Sequence, residues 1–279
     1  MRRAPQSSSP GRSAPKRPAA AAPPQPAPAP PRDSGLWLYG RHAVAAALAN
    51  RDRRIKRLVA LPEAAAELAQ LAAAAAARLP PGPPERLERR SLEALLPAGA
   101  VHQGMAAAAE PLPALDIDDV LDRIVGQPAP HIVVLLDQVT DPHNIGAILR
   151  SAASFAAAAV VLPEHGAPPV TGALAKAASG ALEAVPLLRV PNLARALDRL
   201  KEAGFWSVGL DEHAAQPLQA LDPGERIALV LGAEGSGLRR LTRERCDFLA
   251  RLPTRGEPAS VNVSNAAAIA LYELVRRSA

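Results

Sequence analysis

The second half of the chain alternates short aliphatic runs with helix-forming segments, and that alternation restricts the possible folds more than any other feature. HIVVLL (131–136), VVL (160–162), VPLLRV (185–190), FWSVGL (205–210), IALVL (227–231) and FLARL (248–252) each read as a strand. Helices are expected between and after them at 144–156, 172–179, 193–203 and 262–277. A strand that is apolar at consecutive positions buries both faces, which predicts an α/β fold with a parallel sheet covered by helices on two sides. In such sheets ligands settle beyond the carboxyl ends of the strands, so the loops after Leu136, Leu231 and Leu252 are where chemistry is expected.

A smaller α/β pattern occupies residues 35–113. It comprises a helix at 44–48, a strand IKRLVAL at 55–61 and an Ala-rich helix at 63–79, broken by PPGPP at 80–84. A short helix SLEALL with Ser91 as its N-cap and a closing strand at 104–109 follow. Residues 114–130, with a short helix DIDDVLDRIV and then Gly126, Pro128 and Pro130, are expected to link this unit to a second domain at 131–279. Residues 1–34 hold ten of the 30 prolines and eight alanines without apolar periodicity, and are expected to be a disordered tail. Prolines at 5, 10, 15 and 18 also argue against the amphipathic helix of an organelle transit peptide.

The formal charge of +5 invites a nucleic-acid partner, but its distribution removes that support. The tail carries six basic residues against Asp33 alone, and the remaining chain is balanced at 26 against 26. Any RNA contact by the folded part must therefore be local. One cysteine, Cys246, excludes a disulfide framework and a multi-cysteine zinc site, and fits a reducing, cytoplasmic setting. The longest uncharged stretch, 94–109, is interrupted by Pro97 and His102 and is shorter than the roughly 20 apolar residues of a membrane span, so no membrane partner is expected.

Each of the three loops has a functional reading and a local one. DQVTDPHNIG (137–146) runs into a helix bearing Arg150; Asn144 can cap that helix, and Arg150 can simply be solvated. LGAEGSGL (231–238) lets backbone approach a ligand and places Glu234 at a strand end, but its glycines also suit a tight turn. Its G-x-x-G-x-G spacing matches neither the dinucleotide fingerprint nor a phosphate loop. In the third loop Ser260, Asn262, Ser264 and Asn265 supply neutral hydrogen-bonding groups that orient a neutral ligand or cap the next helix.

Taken together, DPHNIGAILRSA, LVLGAEGSGLRRLTRERCD and LPTRGEPASVNVSNAAAIALYE resemble, in order, motifs one to three of the SpoU (TrmH) class of SPOUT RNA 2′-O-methyltransferases. WLYGRHAVAAAL and GAVHQGMAAAAEPLP are similar to the substrate-binding domain of the RlmB-type branch, which methylates a guanosine ribose in 23S ribosomal RNA. The resemblance implies an L30e-like amino-terminal domain, a catalytic sheet ending in a deep trefoil knot, S-adenosylmethionine as cofactor without a metal, and a homodimer. Transfer RNA as substrate, or a non-catalytic RNA-binding or ribosome-assembly role, are the alternatives.

By position the resemblance assigns cofactor contacts to Leu231, Gly232, Gly237, Leu252 and Val261. It assigns catalysis to Arg150, with Asn144 and Glu234 holding it and Ser260 and Asn262 near the transferred methyl. Arg239, Arg240, Arg243 and Arg245, with Arg251 and Arg255 nearby, form a basic group that either meets RNA phosphates or is a solvated face balanced by Glu244 and Asp247. His42 and His102 are expected as ordinary surface residues, with RNA contact the alternative, His143 in a structural loop role rather than as a general base, and Cys246 as a small buried apolar residue.

Overall fold

Every residue of strand β5 (His131–Asp137) is buried, and its side chains divide by position. Ile132, Val134 and Leu136 enter one apolar core, while Val133 and Leu135 enter another on the opposite face. The same division holds in β6 (Ala159–Pro163) and β10 (Arg226–Gly232), where Val160, Leu162, Ile227, Leu229 and Leu231 face the first core and Ala159, Val161, Ala228 and Val230 the second. Successive side chains of a strand point to opposite faces, so uninterrupted aliphatic runs require helices on both sides. The computed structural model describes residues 35–256 and 261–277, together with Met1. The tail expected at 1–34 therefore lies almost wholly outside the described residues.

With β7 (Leu187–Val190), β8 (Trp206–Leu210), β9 (Gln216–Pro217) and β11 (Phe248–Arg251), the sheet has seven strands in the order β7-β6-β5-β10-β8-β11-β9. All its pairings are parallel. Helices α5 (Pro142–Ser154), α6 (Gly172–Ala178) and α9 (Val263–Arg276) cover one face. The other is covered by α4 (Ile117–Ile124) and α7 (Leu193–Glu202), with α8 (Arg240–Arg245) packed beside α7. Helix α4 lies in the segment 114–130; Asp116 and Asp119 cap it reciprocally, and Ile117, Val120 and Ile124 enter the second core.

The amino-terminal unit contains β1 (Leu36–Tyr39), α1 (Arg41–Ala49), β2 (Ile55–Ala60), α2 (Ala65–Ala73), β3 (Glu85–Arg86), α3 (Arg89–Glu93) and β4 (Met105–Ala109). Its sheet order is β1-β4-β2-β3, with the fully buried β4 antiparallel to both neighbours. The first core continues from Leu38, Leu58 and Ala107 of this sheet to Leu174 and Ala181 of the larger unit. Gly172 sits at that junction, where a Cβ would collide with the Trp37 carbonyl and the Tyr39 ring.

Three local expectations are corrected. The helix expected at 63–79 is α-helical only over Ala65–Ala73; beyond it, the Ala76 and Ala77 N–H groups donate to the Leu48 carbonyl at 2.9 and 3.0 Å, satisfying an end carbonyl of α1. Ser91 lies inside α3, and Glu88 occupies the cap position. Asn144 does not cap α5, because Asp141 does. The two-residue strands β3 and β9 are too short to leave a pattern in sequence.

Candidate active site

The cap of α5 decides what Asn144 can do. The Asp141 carboxylate accepts the His143 N–H at 2.9 Å, and Pro142 takes the first helical position, where no donor is needed. The Asn144 amide is thereby free to turn outward. It donates to Glu234 Oε1 at 3.3 Å and accepts from Asn262 Nδ2 at 3.1 Å. The Asn262 amide also donates to Glu234 Oε1. At the head of α9, Asn262 Oδ1 accepts from Ser264 N and Oγ at 2.9 and 2.6 Å, which orients its NH2 group toward Glu234. One residue from each of the three loops thus meets at a single carboxylate.

Glu234 also lines a cleft of about 230 Å³, with Leu231, Gly232, Gly237, Leu252 and Val261 in its wall. The five positions that resemblance assigned to a cofactor are therefore brought together. The second loop is also the tight turn its glycines allow: Ala233 and Gly237 exchange backbone hydrogen bonds of 3.1 and 2.9 Å, and Gly237 adopts φ 64. A Cβ on Gly232 would strike Gly237 and Leu238. Asp211 and Glu212 bring carboxylates to the same cleft. Aliphatic side chains, backbone edges, the Glu212 and Glu234 carboxylates and Arg243 paired with Asp211 together fit a ligand with an apolar base, hydroxyls and charges of both signs, which is the chemistry of S-adenosylmethionine.

Sequence reasoning missed Asp137. It is fully buried at the end of β5, and accepts from Arg239 N at 2.9 Å and Arg239 Nε at 2.6 Å, pinning the exit of the glycine loop to the neighbouring strand. The available signal was a lone acid closing an otherwise aliphatic strand.

Arg150 is not brought to this cluster. It is exposed on α5, and its guanidinium has no hydrogen bond or ion pair with the described residues. Six residues along a helix amount to about 9 Å of rise and a net turn of roughly 120° from Asn144. Helix α9 runs beside α5 in the same direction, since Asn262 meets Asn144 near their starts and Tyr272 packs edge-on against Phe155, with centroids 6.2 Å apart, near their ends. Ser260 lies outside the described residues.

His102 is corrected from a surface to a buried residue; its Nδ1 accepts the Gly104 N–H at 3.1 Å and shapes the turn into β4. His42 is exposed, and His143 projects from the first turn of α5. Cys246 packs against the second core, and burial, ahead of the opposing effect of Lys201, pushes its thiol up to about 12. The basic group after the second loop is distributed rather than massed. Arg239 pairs with Asp137, Arg240 with Glu244, Arg243 with Asp211 and Arg245 with Asp198, while Arg251 donates to carbonyls of Ala214 and Ala215. Among the described residues no helix is long and apolar enough to cross a membrane.

Comparison with known proteins places this geometry. The SpoU rRNA Methylase family model matches residues 131–272, which span all three loops. The chain belongs to the SpoU rRNA methylase family. A second model, RNA 2′-O ribose methyltransferase substrate binding, matches residues 37–115 of this SpoU-family chain. It is 40% identical to the 23S rRNA (guanosine-2′-O-)-methyltransferase RlmB of Pseudomonas putida, covering 86% of this chain and 96% of that protein. The RlmB of Coxiella burnetii is likewise 40% identical, over 86% of this chain and 95% of its own length. Among solved structures, the SpoU methyltransferase AviRb of Streptomyces viridochromogenes in complex with AdoMet superposes with a TM-score of 0.72 at 25% identity, covering 88% of this chain and 91% of that one.

Proposed function

We propose that this chain transfers the methyl group of S-adenosylmethionine to the ribose 2′-OH of a guanosine in 23S ribosomal RNA. The observation that carries the proposal is the meeting of Asn144, Glu234 and Asn262 beside the cleft lined by Gly232, Leu252 and Val261. The names of the two RlmB relatives support the substrate, and the AdoMet complex of AviRb supports the cofactor.

Bound S-adenosylmethionine supplies a methyl already activated on a sulfonium. Leu231, Leu252 and Val261, with the backbone of Gly232 and Gly237, would hold it. A 2′-OH is a weak nucleophile until its proton is drawn off or its oxygen oriented. Glu234 fixes both asparagine amides, and so ties the starts of α5 and α9 to the glycine loop that walls the cleft. A guanidinium offers hydrogen-bond donors and no acceptor, so the role of Arg150 is to orient the hydroxyl and stabilise the charge that develops on it. Ser260 keeps the methyl-proximal role that resemblance gives it.

Arg150 makes no hydrogen bond or ion pair with its own chain's cluster, and we assign it to the cleft of a second copy in a homodimer. Ile269 and Tyr272, exposed by 49% and 55% on α9, supply an apolar face beside α5 for that contact. Mixing an Arg150→Ala protein with a Gly232→Val protein restores activity if sites are shared between copies, and restores none if each chain is self-sufficient.

The trefoil knot, the L30e-like character of the amino-terminal sheet, the domain limits 35–113 and 131–279 with a linker at 114–130, and a cytoplasmic location belong to the same proposal. Two separate sheets and family matches at 37–115 and 131–272 support the limits. Labelled methyl transfer to purified 23S rRNA and to tRNA tests the substrate: incorporation into rRNA is expected, and incorporation into tRNA alone would overturn it.

A further inference from the structure

A larger cavity, of about 660 Å³, is lined by the stretch of chain that leaves the glycine loop. One stretch of chain walls both this cavity and the cofactor cleft. Leu231–Leu238 line the cleft, Arg239–Thr242 line the cavity, and Arg243 returns to the cleft. The far wall comes from the end of β6, with His165, and from the start of α7, with Asn192 and Arg195. Its lining includes Arg195, Arg239, Arg240 and Arg245, and no aspartate or glutamate.

The arginines are available to a ligand. Arg195 is exposed, and its guanidinium has no partner among the described residues. Arg239 uses Nε and its backbone N–H for Asp137, which leaves its terminal nitrogens open. The pairs of Arg240 with Glu244 and Arg245 with Asp198 are solvent-exposed on both sides. Such pairs contribute little and yield readily to a stronger anion. Guanidinium forks match phosphate oxygens in geometry as well as charge.

We propose that this cavity holds phosphates of the substrate RNA backbone next to the nucleotide being methylated, with Arg195 and Arg240 as its main contacts. The inference rests on the RNA-methyltransferase reading and names a subsite for it. It makes the local positive surface that the neutral charge balance of the folded part calls for. Because the contacts are to phosphate, they position the strand without reading its sequence.

The test uses the full chain and a 23S rRNA fragment that the wild-type protein binds, comparing wild type with Arg195→Ala/Arg240→Ala, Arg195→Lys/Arg240→Lys and a remote control, Arg123→Ala. Affinity is measured against salt concentration, alongside S-adenosylmethionine binding and single-turnover methylation at saturating RNA. Loss of each phosphate contact lowers the slope of log K against log salt by about 0.7–0.9, so the double alanine variant is expected to lose about 1.5. Its RNA affinity falls, while cofactor affinity and the saturated methylation rate remain. The lysine pair retains most of the slope, and Arg123→Ala retains all of it. An unchanged slope and affinity in a folded double alanine variant would overturn the proposal, as would an equal loss in the control. Should the wild type bind RNA but methylate none, the functional reading fails while the slopes still decide the subsite.

Discussion

Arg53 and Glu183, 130 positions apart, form an ion pair with side chains only 1% and 6% exposed, joining the amino-terminal unit to the larger one. The contact is two-pronged, with Nη2 to Oε1 at 2.6 Å and Nε to Oε2 at 3.1 Å. Arg53 Nη1 also donates to the Glu110 carbonyl at 2.7 Å, and Asn50 Nδ2 to Glu183 Oε2 at 2.8 Å. A buried pair of this kind adds little over apolar residues of equal size, but removing one member strands the other. Arg53→Met is therefore expected to lower stability by about 3–5 kcal/mol, and Arg53→Met with Glu183→Leu to recover most of it. Urea denaturation of the full chain measures both; a single-variant loss near zero would contradict the assignment.

Glu234 holds two amides, so its removal should disturb positioning more than cofactor binding. Misplacement of positioned groups by about 1 Å costs about 100-fold in rate. Glu234→Ala is expected to lower kcat by about that factor while calorimetric affinity for S-adenosylmethionine changes only slightly. A large loss of cofactor affinity with unchanged kcat would show that Glu234 serves the cleft alone.

The acid end of the stability profile should report on Asp247. Burial would raise its carboxyl pKa, but hydrogen bonds from Lys201 and from Ser207 N and Oγ more than offset this and hold it below the usual range. A depressed folded-state pKa adds stability that is complete above the unfolded value of about 3.9 and disappears as pH falls through the folded one. Asp247→Asn should thus be less stable than wild type at neutral pH, with the gap narrowing below about pH 4. Urea midpoints measured across pH 3–7 check this; a constant gap would refute it.

Cys246, with its thiol pushed up to about 12, should be inert in the folded protein. Relative to an ordinary thiol near 8.5, its thiolate fraction at neutral pH is lower by about 10³-fold. Iodoacetamide labelling followed by mass spectrometry should show rapid reaction only after unfolding. Equal rates in native and denatured protein would contradict its burial.

The larger sheet was legible in sequence because its strands bury both faces; 132–136 and 227–231 are aliphatic without interruption, and no other environment suits them. The loops were legible as places for the same reason, since they follow those strands. Side-chain partners were not. Asn144 has the chemistry of a cap, and only the competition from Asp141 three residues earlier and the carboxylate of Glu234 ninety residues later redirects it. Alanines 74–77 have helical propensity, yet the unpaired carbonyl of Leu48 draws two of them away. The arginines after the glycine loop read as one patch, but the chain there divides two cavities, so Arg243 faces one and Arg239, Arg240 and Arg245 the other. Arg195, from a different helix, could be joined to them only in three dimensions.

The most direct test incubates wild-type and Arg150→Ala proteins with S-adenosylmethionine and unmodified 23S rRNA, then identifies the modified nucleoside by mass spectrometry after complete digestion. The wild type is expected to yield 2′-O-methylguanosine at one site, and Arg150→Ala to yield none while still binding the cofactor. A methyl group found on a base, or undiminished ribose methylation by Arg150→Ala, would contradict the account.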